Sequence, residues 1–200
     1  TGETSPDGSR DRQTEATSLS ATELMLGGTL LGARLRDLRA VLTHMRARSD
    51  VNTTRVALWG DSFAPTNPAG FADPLIGEGA APHQSEPLGG LLALFGALFE
   101  PDVKAVIARG LFAGFQSLLR ETFCYVPHDA VVPGALTAGD LADVAIGLAP
   151  RPVRFEALVD GRNIALSVAD AKKLIASAAD AYGPGAIIGE IVERSSDRDL

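Results

Sequence analysis

Gly60-Asp61-Ser62-Phe63-Ala64 closes the apolar run Arg55-Val56-Ala57-Leu58-Trp59 and matches the G-x-S-x-G pattern of a nucleophilic serine, with Ala in the last place. The spacing has a chemical reason. A serine hydroxyl becomes useful when a sharp strand-to-turn reversal lifts it clear of a sheet edge, beside backbone N–H groups that hold an oxyanion. Small residues two before and two after the serine let the backbone fold that tightly. Ser62 is the candidate nucleophile. The competing reading is a Gly-Asp-Ser turn that only closes a core strand.

A serine hydroxyl near pH 7 needs a base, and the sequence holds three histidines. His44 falls on an amphipathic helix, where a solvated or half-buried ring is the ordinary explanation. His128, in Tyr125-Val126-Pro127-His128-Asp129, is the first candidate base. An adjacent Asp rarely orients its neighbour's ring, so another carboxylate would have to serve it. His83, in a proline-rich loop after Ser62, is the alternative base, since that loop can fold back over the serine. Each also fits an ordinary structural histidine. The carboxylates and histidines are not spaced for a metal, and Cys124 with His128 makes too few ligands. No P-loop or dinucleotide fingerprint is present. Neither metal nor cofactor is expected.

The elements that position these residues follow from periodicity. Residues 1–20 read as an extended arm, and residues 21–200 as one domain. Ser20 or Thr22 is placed to cap a helix. Leu24, Leu31, Leu35, Leu38, Val41, Leu42 and Met45 recur at three- and four-residue steps, with an interruption near Gly27-Gly28. Residues 55–59 read as a strand buried on both faces of a parallel sheet. Residues 64–88, with prolines at 65, 68, 74, 82 and 87, form a long loop of the kind that walls binding sites. Helices are expected over 88–99, 111–125, 140–148 and 167–182, and strands over 103–108, 153–159 and 187–192. Alternating helices and strands predict an α/β fold with a parallel sheet of about four strands.

Composition narrows the partners. Two hundred residues, 46% of them apolar, suit one domain with a sizeable core. A net charge of −7 argues against nucleic acid as the main partner. The cluster Arg34, Arg36, Arg39, Arg46 and Arg48 alternates with apolar positions and reads as a solvated helix face. No run of eighteen apolar residues marks a membrane span. The single Cys124 excludes an intrachain disulfide framework and reads as a buried thiol. The polar opening Thr-Gly-Glu-Thr, without an initiator Met or the apolar run of a secretory signal, reads as a processed or excised piece.

Three motifs together resemble the α/β-hydrolase fold, in its acetyl xylan esterase and dienelactone-hydrolase-like branch. They are the helix around Leu30-Leu31-Gly32-Ala33-Arg34-Leu35, the run Asp50 to Ser62, and Ala149-Pro150-Arg151-Pro152 before a strand ending at Asp160. The resemblance covers 20–192 in element order. It implies Ser62 as nucleophile, Asp160 as the acid that orients a histidine, and the Phe63 N–H as one oxyanion donor. It implies that Arg151 anchors the turn before its strand.

The chain departs from that family in three places. The histidine that follows the family's last strand has no counterpart in 193–200. The family's N-terminal strands, which supply a second oxyanion donor, lie outside the sequence. Pro65 and Pro68 allow at most one helical turn after the serine. The Gly-Asp-Ser trio also occurs in GDSL-type hydrolases, but their late Asp-x-x-His is absent.

Two functions follow. The first is a serine carboxylesterase acting on small or medium esters, with a small-molecule ester as its partner. The second is a non-catalytic half-domain or degenerate hydrolase module used for assembly or binding. A half-sheet exposes an edge and an apolar face. Both readings therefore predict a homo-oligomer or a missing N-terminal segment.

Overall fold

The computed structural model of the chain describes residues 15–71 and 82–182. Helix α1 (Glu15–Met25) and helix α2 (Leu30–Arg46) are separated by Gly27, whose φ of +79° turns the chain. α2 starts at Thr29, whose hydroxyl accepts the Gly32 N–H at 2.9 Å. Ser20 is not a cap. It lies inside α1, buried, and its hydroxyl donates to the His128 carbonyl at 2.8 Å. α1 also begins within the segment read as an arm, and residues 1–14 lie outside the described residues.

Strand β1 (Val56–Gly60), helix α3 (Leu88–Phe99) and strand β2 (Val103–Arg109) form the centre. Short helix α4 (Phe115–Leu118), a 3-10 turn (His128–Ala130), short helix α5 (Ala135–Ala138) and helix α6 (Leu141–Leu148) lead to strand β3 (Val153–Glu156). Helices α7 (Val168–Leu174) and α8 (Ala176–Tyr182) follow. The sheet is parallel, in the order β1-β2-β3. Its strands number three among the described residues rather than four, and the expected strand over 187–192 lies outside them.

In register, Leu58 pairs with Val106 and Val106 with Val153, so these side chains share one face. That face packs on α3, whose Leu91 and Leu94 are fully buried. Each such leucine contributes about 2 kcal/mol by its burial. Gly96 makes the approach possible. A Cβ there would stand 2.7 Å from Leu38 Cδ2 and 2.9 Å from Leu58 Cδ1. The opposite face carries Ala57, Trp59, Ala105 and Ile107, and here the expectation of a strand buried on both sides fails. Ala57 is exposed and Trp59 is 49% exposed, because α3 packs on the other face.

Distant backbone pairing explains the other differences. The helix expected over 111–125 shrinks to α4 because Phe112 pairs with Val159. The Ala113 and Tyr125 N–H groups donate to the Val159 and Gly161 carbonyls at 3.1 and 2.8 Å. β3 stops at Glu156 because Ala157, with φ +48°, turns the chain. The expected helix over 167–182 is two helices that meet at Ile175.

Four members of the arginine cluster form ion pairs, Arg34 with Asp37 and Arg48 with Asp50 at the surface, and Arg39 and Arg46 with the end of α3 and the residues after it. Arg39 Nε lies 2.6 Å from Glu100, and Arg46 reaches Glu100 at 2.7 Å and Asp102 at 2.6 Å. Arg39 first, then Arg46, holds the Glu100 carboxyl below its usual range against the effect of burial. Arg151 donates to the carbonyls of Ala97, Glu100 and Val103, which ties the turn before β3 to the end of α3. Cys124, read as a buried thiol, is exposed. No single helix among the described residues is long and apolar enough to cross a membrane.

Candidate functional site

β1 delivers Ser62 to the carboxyl end of the sheet, the edge where open α/β sheets take ligands. The Ser62 N–H donates to the Arg109 carbonyl at 3.1 Å, and the residue is 3% exposed. Gly110, with φ +68°, leaves room for it, since a Cβ there would meet Ser62 Cβ at 2.6 Å. The N-terminus of α3 docks on the same strand end. A Cβ on Gly89 would stand 2.8 Å from the Asp61 carbonyl oxygen.

A compact elbow would start its helix directly after the serine. Here residues 63–87 intervene before α3. At its ends the excursion is joined by a hydrogen bond from the Phe63 N–H to Glu86 Oε2 at 3.2 Å. The amide expected to hold an oxyanion therefore holds a carboxylate. The Phe63 ring itself is 80% exposed.

The other expected site residues come near one another by backbone rather than by side chain. Asn67 Nδ2 donates to the His83 carbonyl at 3.0 Å and to the Arg162 carbonyl at 2.7 Å. The His83 N–H returns to Asn67 Oδ1 at 2.9 Å. Asn163 Nδ2 donates to the Pro65 and His83 carbonyls at 3.0 and 3.2 Å. Asn67 and Asn163, both buried, thus stitch the chain after Ser62 to His83 and to the turn after Asp160. Asp160 Oδ1 accepts the N–H groups of Arg162 and Ile164, each at 2.9 Å, and shapes that turn. His83 and His128 are both exposed. Among the described residues neither ring hydrogen-bonds Ser62 or Asp160.

Two charged groups complete the strand ends. Arg109, 1% exposed, reaches Glu156 at 2.8 Å and Asp61 at 3.1 Å, with its guanidinium 4.9 Å from the Trp59 ring centroid. Arg154 Nε lies 2.7 Å from the other oxygen of Glu156, which is fully buried. The second group is Asp129, on the 3-10 turn. Burial pushes its carboxyl up to about 6, and the Glu86 charge adds to the rise. The Ala130 N–H, His128 and Arg34 oppose it.

A cavity of about 220 Å³, lined by residues that include Gln116, Arg120, Asp140, Asp143, Leu174 and Ser177, does not include Ser62. Among the described residues no three or more His, Cys, Asp or Glu side chains are grouped to hold a metal.

This arrangement is similar to a crystal structure of a putative acetyl xylan esterase from Bacteroides fragilis, with a TM-score of 0.60 and 15% identity. The fold is hydrolase-like. The likeness covers 93% of this chain and 41% of that one, so the chain spans less than half of that protein's length. No protein-family profile and no curated protein matches the sequence.

Sequence reasoning missed Glu86, Asn67, Asn163 and the Arg109–Glu156 pair, and it named Asp129 only as the neighbour of His128. One signal pointed to Glu86, an acidic residue directly before the Pro87-Leu88-Gly89-Gly90 start of an apolar helix. Nothing local marks Arg109 as buried, because its partners lie on two other strands.

Proposed function

We propose that the chain carries the nucleophile of a carboxylic-ester hydrolase, with Ser62 attacking small or medium esters and forming an acyl-enzyme that water cleaves. One observation carries this reading. Ser62 follows the carboxyl end of the parallel strand β1, at the edge of the described sheet, against Gly110 and with α3 docked beside it. Serine acyl transfer needs neither metal nor cofactor. The Phe63 N–H is the proposed oxyanion donor once its carboxylate partner releases it. Asp160, His128 and His83 would join the site only by side-chain rearrangement. Hydrolysis of p-nitrophenyl acetate by the chain and by Ser62→Ala tests the reading. The variant should lose about three orders of magnitude in rate. Equal rates contradict it.

The second reading is a non-catalytic hydrolase-like module for binding or assembly. Two observations favour it. The Asp160 carboxylate is engaged within its own turn, and Ala57 and Trp59 leave one side of the sheet open. A homo-oligomer or a companion segment would cover that side. Light scattering should then give a mass above the monomer, and a clean monomer with no exposed apolar surface sinks this reading.

A further inference from the structure

We propose that Glu86 is the proton acceptor for Ser62, in the place a histidine usually takes; the proposal rests on the reading of Ser62 as a nucleophile. Among the described residues, Glu86 is the ionisable side chain hydrogen-bonded to the backbone immediately beside Ser62, at 3.2 Å from the Phe63 N–H. Its position is fixed from below. Pro87 follows it directly and opens α3, which docks on Gly60 and Asp61. The nearest charged neighbour on record is Asp129 on the 3-10 turn, whose carboxyl feels the Glu86 charge, and Asp61 at the strand end is held by Arg109. Asp129 Oδ1 is buried without a hydrogen-bond partner among the described residues. Burial raises its pKa, so this carboxyl is neutral only below about pH 6.

The reaction balances on these groups. Ser62 Oγ forms a bond to the acyl carbon while its proton passes to Glu86, and the carbonyl electron pair moves onto oxygen. Protonation of Glu86 removes the charge that holds the Phe63 N–H, because an amide binds a carboxylate more strongly than a carboxylic acid. The amide is then free to donate to the new oxyanion. Collapse breaks the bond to the alcohol oxygen, which leaves with the Glu86 proton. Water gives its proton to Glu86 and attacks the acyl-enzyme. The acid leaves, and the proton returns to Ser62.

The test follows fluorophosphonate labelling of Ser62 by intact mass, in the full chain and in Glu86→Gln, across acidic and neutral pH. Gln still accepts the Phe63 N–H but cannot take a proton, which separates a brace from a base. The expected result is a loss of about 100-fold in labelling rate for Glu86→Gln with its unfolding midpoint unchanged. Labelling of the parent should persist at about pH 5.5, below the ordinary histidine range. That pH arm needs no variant. Labelling of Glu86→Gln at the parental rate overturns the assignment. So does a collapse of parental labelling between about pH 7.5 and 5.5, with loss in His128→Ala or His83→Ala; Ser62 then remains a nucleophile with an imidazole base. No adduct on the parent at any pH overturns both this assignment and the reading of Ser62.

Discussion

Gly60 and Gly89 meet so closely that a Cβ on Gly60 would stand 1.9 Å from the Gly89 carbonyl oxygen. The contact docks the start of α3 on the end of β1, and the position of Ser62 two residues later depends on it. Backbone cannot yield as a flexible side chain does. Gly60→Ala should destabilise the fold by about 3 kcal/mol. Gly147→Ala is the contrast, since its Cβ would meet only Leu98 Cδ1 at 3.1 Å. That substitution, in α6, should stay within about 1 kcal/mol of the parent. Urea denaturation of both variants checks the difference.

Arg109 holds the strand ends together through charge. Arg109→Met leaves the fully buried Glu156 with Arg154 as its remaining cation on β3. The expected loss is about 3 kcal/mol, because a fully buried carboxylate loses its buried counter-ion. The double variant Arg109→Met, Glu156→Leu should recover part of it. A double variant less stable than the single one would contradict this account of the pair. Trp59, the one tryptophan in the sequence, reports locally, since its ring lies over the guanidinium. Its emission should shift in both variants.

Asp129 makes stability depend on pH. Its folded-state value near 6 lies above the ordinary 3.8, mainly through burial. The folded chain therefore binds this proton more tightly than the unfolded chain does. The stabilisation is complete below about pH 4 and is lost as pH rises through about 6. The group should remove on the order of 2 kcal/mol across that window. Glu100 works in the opposite sense. Its value is lowered by Arg39 and Arg46, so its contribution is present at neutral pH and lost as pH falls. Comparing Asp129→Asn with the parent isolates the first effect. The variant should show a smaller fall in stability between about pH 4 and pH 7, and identical slopes would refute the assignment.

The elements that hold Ser62 were legible because their signals are local. The apolar run of β1 ends in Gly-Asp-Ser, and the run over 88–99 matches α3 residue for residue. Helix α6 was equally clear, with Asp140 accepting the Leu141 N–H at 2.7 Å as its cap. The segment 111–125 was misread because its apolar content suits a helix, whereas backbone pairing with Val159 and Gly161 draws it out. The same limit hid Glu86. Its partner is the amide of Phe63, across a proline-rich excursion that no periodicity spans. The open side of β1 was hidden for a related reason. Apolar composition reports what a strand can bury, and the helices that pack on it decide how much is buried.

The central claim is that Ser62 is an activated nucleophile. The most direct measurement is intact mass after incubation with a fluorophosphonate probe, for the full chain and for Ser62→Ala. The account predicts a single adduct on the parent that is absent from the variant. An unlabelled parent, or an adduct that persists in Ser62→Ala, would contradict it.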